Sequence, residues 1–89
     1  MAGLAAALGP TPNPVRGASA SRFSLPSASH VDLDLYDMAG RRVAVVATGQ
    51  HAAGDHLVRV DARGLAAGTY VLRLASRSGS ATQTMTVVR

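Results

Sequence analysis

The strongest constraint on the fold is an alternation of apolar and polar residues. Between residues 31 and 35, Val and Leu side chains alternate with Asp32 and Asp34. An extended segment with this period presents one apolar and one charged face, which is typical of a β-strand with one side in water. Five further segments predict strands in the same way: residues 21–25, 42–48, 56–60, 69–75 and 81–88. Turn residues separate the segments at short, regular intervals, as in an antiparallel sandwich.

Composition also favours strands over helices. All four prolines lie within the first 26 residues, so the later strands keep every backbone donor that a ladder needs. Lys and Glu, the usual surface residues of helices, are absent. We therefore predict an all-β fold, an Ig-like antiparallel β-sandwich of six to seven strands. Residues 1–18 are predicted to form an Ala/Pro-rich lead-in or docking arm and residues 19–89 the sandwich, with a helical turn expected only within residues 1–8.

The predicted core is thin and built mainly from short aliphatic side chains. Of the 89 residues, 17 are Ala, and most of the larger apolar residues are Val and Leu. The core is expected to comprise Phe23, Leu25, Val31, Leu33, Leu35, Val43, Val45, Val58, Val60, Leu65, Tyr70, Leu72, Leu74, Met85 and Val87. Chain entropy offsets most of what such a core contributes, so we expect a marginally stable domain.

Composition excludes several kinds of chemistry. The chain has no Cys, which rules out disulfides, thiolate catalysis and cysteine-bound zinc. Nine Arg against five Asp give a net charge of +4, but the arginines are scattered and nucleic-acid binding is not expected. The charge permits contact with an acidic protein or an anionic lipid surface, so peripheral membrane association is left open. A membrane span is not expected, because no apolar run reaches about 18 residues.

Carboxylates and histidines are the candidate metal ligands. Asp32, Asp34 and Asp37 lie close in sequence, but no loop with calcium-ligand spacing surrounds them. The three histidines lie at predicted strand ends or in a loop predicted over residues 49–55, where surface positions are expected: His30, His51 and His56. None has a recognised catalytic geometry. We therefore expect no metal, no cofactor and no enzymatic activity.

Several short motifs occur in one order: PNP at 12–14, FSLP at 23–26, VDLDLYDMAGRRV at 31–43, AG at 53–54, VDARGLAAGTYVLRL at 60–74 and VVR at 87–89. In order and spacing, this series resembles the C-terminal sorting domain of type IX secretion cargo, in its type A form. It also resembles the related Ig-like domain of flagellar hook-capping proteins. Those relatives usually carry Trp-Asp-Gly where this chain has Val60-Asp61-Ala62, which favours the sorting-domain branch. The resemblance covers about residues 12–89.

The resemblance implies a seven-stranded sandwich that a secretion apparatus recognises. Its last strands would carry the export signal, and a sortase-like peptidase would remove the domain after transport. The chain would then be periplasmic, on the cell surface or secreted. The residues expected to carry recognition are Gly68, Tyr70, Thr82, Thr84, Thr86, Val87, Val88 and Arg89. From the residues alone, Gly68 and Tyr70 are explained equally well by folding.

Two other functions are left open by the sequence. The chain could be a small structural accessory subunit that docks onto a larger complex, membrane-associated or not, through a sheet edge and its N-terminal arm. The arm residues expected to make that contact are Pro10, Pro12, Asn13 and Pro14. An adhesion module is a weaker alternative that rests on fold analogy alone. In every case the expected partner is a protein or a surface rather than a nucleic acid.

Overall fold

The computed structural model describes residues 6–9 and 14–88, which form seven strands. The strands are β1 (Ala7–Leu8), β2 (Ala18–Leu25), β3 (Ser29–Asp37), β4 (Arg42–His51), β5 (Gly54–Asp61), β6 (Gly68–Ser76) and β7 (Gly79–Val87). All six strands predicted from the alternation are confirmed. The helical turn expected within residues 1–8 is wrong for Ala7 and Leu8, which pair with β2 as a short strand.

The strands form two antiparallel sheets, one ordered β1-β2-β5 and the other β4-β3-β6-β7. Two hairpins, β3–β4 and β6–β7, lie within the four-stranded sheet, while the chain crosses between sheets after β2, β4 and β5. The prediction of an all-β sandwich is confirmed. In this domain the fourth strand, β4, pairs with β3. In a constant-type immunoglobulin domain the fourth strand instead belongs to the sheet opposite the third strand.

The core lies between the two sheets. Predicted core residues that are buried are Phe23, Leu25, Val31, Leu33, Leu35, Val60, Tyr70, Leu72, Leu74, Met85 and Val87. Val58 and Leu65 are half-buried and pack against them. Buried apolar residues that the alternation did not predict are Ala6, Leu8, Val15 and Ala62.

Strand β4 departs from the predicted pattern. Val43 and Val45 were expected in the core but are 37% and 55% exposed, whereas Ala44 and Val46 pack against the core. The register between β3 and β4 shifts twice, and each shift leaves one extra β4 residue, first Val46 and then Val43. A β-bulge inserts one residue and so breaks the alternation of faces. The prediction was wrong because it assumed a strand without bulges.

The connection between the sheets after β4 is shorter than predicted. Residues 49–55 were expected to form a loop, but β4 continues to His51 and β5 begins at Gly54. Only Ala52 and Ala53 separate the two strands. The short connection keeps the end of β4 close to the start of β5 in the other sheet, and it brings His51 and His56 close together.

Asp37 holds the turn between β3 and β4. Its Oδ1 accepts hydrogen bonds from the backbone N–H groups of Ala39 (2.9 Å) and Arg41 (3.0 Å), and its Oδ2 accepts one from Arg41 Nε (3.0 Å). Gly40 adopts φ +85°, a conformation that costs other residues more than glycine. The hydrogen bond from the Arg41 backbone, followed by those from Ala39 and the Arg41 side chain, lowers the pKa of Asp37 below its ordinary value of 3.8.

Because the folded-state pKa of Asp37 is lowered, its contribution to stability is present above the unfolded pKa and is lost as pH falls through the folded one. Asp37→Asn is therefore expected to lower the melting temperature at pH 5. It should also reduce the amount by which the melting temperature falls between pH 5 and pH 2. Thermal denaturation followed by circular dichroism at both pH values measures this. Asp55→Asn, at an exposed position on β5, is the control. An unchanged drop in Asp37→Asn would contradict the assignment.

Candidate recognition strand and the segment that covers it

The predicted recognition residues on β7 divide between two faces. Strand β7 pairs with β6 along its whole length. Met85 and Val87 point into the core and are buried, so Val87 is held by packing. Thr82 and Thr84 lie exposed on the opposite face and Thr86 there is half-buried. The face of β7 that is open to solvent in the folded domain is therefore the threonine face. Val88 follows the strand and is half-buried, and Arg89 lies outside the described residues.

Val15 covers the outer edge of β7. It forms a parallel bridge with Val87, in which its N–H donates to the Thr86 carbonyl (2.7 Å) and its carbonyl accepts from the Val88 N–H (3.0 Å). Its side chain is only 1% exposed. Sequence reasoning missed this contact, because Val15 is a single apolar residue in a segment without alternation.

Strand β1 lies beside the same edge. It pairs antiparallel with β2, and the Gly9 N–H donates to the Arg22 carbonyl (2.8 Å). On the other side, Gln83 Nε2 of β7 donates to the Leu8 carbonyl at 3.4 Å. The described parts of the predicted docking arm therefore pack on their own domain.

Of the four residues expected to dock the arm on a partner, Pro14 is exposed and the other three lie outside the described residues: Pro10, Pro12 and Asn13. Their role in docking stays a prediction, as does the domain boundary at residue 18.

Gly68 and Tyr70 have clear roles in folding. The Tyr70 ring is buried, and its hydroxyl donates a 2.6 Å hydrogen bond to the Ala66 carbonyl. A tyrosine near the start of the sixth strand that bonds back to the preceding connection is the tyrosine corner of Ig-like sandwiches. Gly68 begins β6 at φ +153°, a conformation that is strained for a residue with a side chain. Both residues shape the connection between β5 and β6.

Tyr70→Phe keeps the ring and removes only the hydroxyl. We expect a loss of about 1 kcal/mol in the free energy of unfolding, the usual net value of one hydrogen bond. Urea denaturation measures the change. Tyr36→Phe is the matched control, because Tyr36 lies on the outer face of β3, and it should change stability by less than about 0.5 kcal/mol. Equal effects of the two substitutions would contradict the role of the corner.

The three clustered aspartates serve different local contacts. Asp32 accepts a 2.8 Å hydrogen bond from the Thr48 hydroxyl, which is the main cause that lowers its pKa below the ordinary value. Asp34 is buried, with Arg42 Nη1 at 4.0 Å from its carboxylate. The Asp37 carboxylate accepts its hydrogen bonds within the turn between β3 and β4. Within the described part of the chain, no three His, Cys, Asp or Glu side chains are grouped to hold a metal.

The expectation of surface histidines holds for His30 and only in part for the other two. His30 is exposed and lies 3.4 Å from an Asp32 carboxylate oxygen. His51 and His56 are half-buried, and both pack on the ring of Phe23. The two histidines are five residues apart in sequence but belong to strands of different sheets. The alternation within each strand therefore did not indicate that they would meet.

Arg63 pairs with a carboxylate two residues away. Its Nη2 lies 2.8 Å from Asp61 Oδ2, and Nε donates to Oδ1 at 3.0 Å. Hydrogen bonds from the side chain and backbone of Arg63 hold the pKa of Asp61 well below its ordinary value, while Asp61 raises that of Arg63. Both groups are exposed, so this pair fixes a local turn.

The tyrosine corner, the three-on-four sandwich and a threonine-faced edge strand define a small Ig-like module. A family model described as a secretion system C-terminal sorting domain matches residues 11–88. Because the match spans most of the chain, this protein belongs to the family of type IX secretion C-terminal sorting domains. No curated protein and no solved structure matches the chain significantly.

Family membership fixes the general role. The family is a sorting signal and not a catalytic family, and it implies interaction with the secretion machinery. It also implies a secreted or cell-surface protein that uses the type IX route. Among residues 6–9 and 14–88, the structure contains no helix of the length and apolarity that a membrane crossing needs.

Proposed function

We propose that the secretion apparatus recognises this domain in its folded state, through the outer face of β7. The observation that carries the proposal is the division of β7 into a buried and an exposed face. Met85 and Val87 are committed to the core. Thr82 and Thr84 are exposed to a partner. A strand face that carries threonine side chains and lies in water suits a polar, hydrogen-bonding contact.

In this mechanism the domain folds in the periplasm and is displayed to the translocon as a rigid body. After transport, a peptidase hydrolyses a peptide bond on the N-terminal side of the domain and releases it. Gly68 and Tyr70 act indirectly, because they hold the connection that leads into β6, which pairs with β7 along its whole length. Val88 follows the displayed strand and is half-buried, and Arg89, which lies outside the described residues, stays a predicted recognition residue.

The test is export of a reporter fused to the N-terminus of the full chain, in a host with the type IX pathway. Deletion of β7 would be uninformative, because it also removes buried Met85 and Val87. Thr82→Glu with Thr84→Glu leaves buried Met85 and Val87 in place and is expected to lower the extracellular reporter at least tenfold. A charged side chain must be desolvated in the contact, and the carboxylates cannot donate the hydrogen bonds that the hydroxyls donate.

Ala20→Glu is the matched control, because it adds the same side chain at an exposed position of β2 on the other sheet. Circular dichroism must show that all variants fold and melt within a few degrees of the wild type. If the doubly substituted β7 exports the reporter as well as the control does, recognition lies elsewhere on the domain.

The accessory-subunit hypothesis requires the N-terminal arm to reach a partner. Val15 and β1 pack against the edge of β7 within the same chain, so the arm would have to detach first. Recovery of a stoichiometric partner that protects residues 6–15 from proteolysis would favour that function. The structure offers no observation that favours adhesion.

A further inference from the structure

Three rings meet where β4 ends and β5 begins. The ring centroids of His51 and His56 are 5.0 Å apart, with planes at 85°. Phe23 lies 5.1 Å from His56 in a stacked arrangement and 5.4 Å from His51 in an edge-on one. Phe23 is fully buried, so it forms the apolar floor on which the two imidazoles rest.

Each histidine is oriented by its own backbone. His51 Nδ1 lies 3.1 Å from the Gly49 carbonyl, and His56 Nε2 lies 2.7 Å from the Ala52 carbonyl. A carbonyl oxygen can only accept, so each of these nitrogens carries the hydrogen. In the neutral rings, His51 Nε2 and His56 Nδ1 are then left with a lone pair. Metal-binding histidines are oriented in this way, with the second nitrogen donating to a backbone carbonyl.

The separation of the rings fits a shared ion. With metal–nitrogen bonds of about 2.0–2.1 Å, two imidazoles on one ion place their ring centroids about 4.5 Å apart in the cis positions of a tetragonal ion and about 5.2 Å apart on a tetrahedral one. The observed 5.0 Å lies between these two distances.

A second observation at this end of the sandwich points to an unsatisfied polar site. Ser29 lies directly opposite His51 in the register of β3 and β4. Its side chain is buried, and its Oγ has no hydrogen-bond partner among the described residues. A buried hydroxyl without a partner is costly. A water bound to an ion at the histidines could supply that partner.

We propose that His51 and His56 form a two-histidine site for a divalent late first-row transition metal, with Cu²⁺ bound most tightly and water in the remaining positions. Imidazole nitrogen suits Cu²⁺, Ni²⁺ and Zn²⁺, and affinities for such ligands peak at Cu²⁺. One ligand belongs to β4 and the other to β5, so the ion ties the two sheets together. The site is independent of the threonine face on β7.

The probe is Cu²⁺ added alone to the metal-free full chain, with affinity measured by isothermal titration and ligands by electron paramagnetic resonance. We expect one equivalent to bind, with splitting from two imidazole nitrogens. His51→Gln and His56→Gln should each lower the affinity at least tenfold. His30→Gln is the control, because His30 lies exposed on β3 beside Asp32 and should leave binding unchanged.

Binding should also raise the melting temperature of the wild type, because an ion that binds only the folded state stabilises it. That rise should persist in His30→Gln and disappear when both His51 and His56 are replaced. The proposal is overturned if the wild type shows no nitrogen splitting, or if the double variant binds as tightly as the wild type. It is also overturned if His30→Gln removes binding. These measurements do not involve export, so failure of the sorting proposal would leave them unchanged.

Discussion

Phe23→Ala is expected to destabilise the domain by about 3–5 kcal/mol, the usual cost of truncating a buried aromatic residue to alanine. Phe23 is 0% exposed, and the two histidines at the end of β4 and on β5 rest on its ring. Domains of this size have only about 5–15 kcal/mol of stability, and this core is built largely from small side chains. A large part of the Phe23→Ala population should therefore be unfolded at 37 °C.

Urea and thermal denaturation measure the effect, and the melting temperature should fall by at least about 12 °C. Leu57→Ala is the control, because Leu57 is 69% exposed on β5 and should change stability by less than about 0.5 kcal/mol. Similar melting temperatures for the two variants would show that Phe23 does not hold the core. If the folded state is recognised, Phe23→Ala should also reduce export.

Val15→Asp is expected to release the N-terminal segment from β7 at a cost of about 2–4 kcal/mol. The estimate combines the burial of one valine with two backbone hydrogen bonds. A carboxylate cannot stay in the apolar site where Val15 is 1% exposed, so undocking limits the loss. The outer edge of β7 would then be open while the sandwich stays folded.

Hydrogen exchange at the Val88 amide reports the undocking, because that N–H donates to the Val15 carbonyl. We expect the Val88 amide to exchange at least tenfold faster and to lose most of its protection, whereas the amides of Leu33 and Leu72 stay protected because the sandwich remains folded. Arg16→Asp adds the same carboxylate at an exposed neighbouring position and is the control. Unchanged protection of Val88 in Val15→Asp would mean that the segment does not cover the strand.

Export of Val15→Asp links this contact to the proposed function. If the apparatus reads only the threonine face, opening the edge should leave export near the wild-type level. If it adds a strand to the edge of β7, the same substitution should increase export. Reporter secretion by Val15→Asp, compared with Arg16→Asp, distinguishes the two modes.

The six main strands could be predicted from the sequence because alternation is a local property. Val31, Leu33 and Leu35 fall on one side of any extended chain, whatever lies nearby, and burial of that side follows. The turn at Asp37 and the hydrogen bond of Tyr70 are also local, because each joins residues within four positions of one another. The order of the short motifs indicated the sorting-domain family, which no single strand defines.

Other features were settled by contacts between segments far apart in the chain. The faces of β4 depend on two bulges against β3, and a one-residue insertion exchanges inside for outside. His51 and His56 meet because β4 and β5 belong to different sheets joined by two residues. Val15 is buried because β7, some seventy positions later, supplies its partner. Sequence alone determined which segments extend and which side of most of them is apolar. Tertiary structure decided which edges are covered and which side chains meet, because those contacts form only once the sheets have packed.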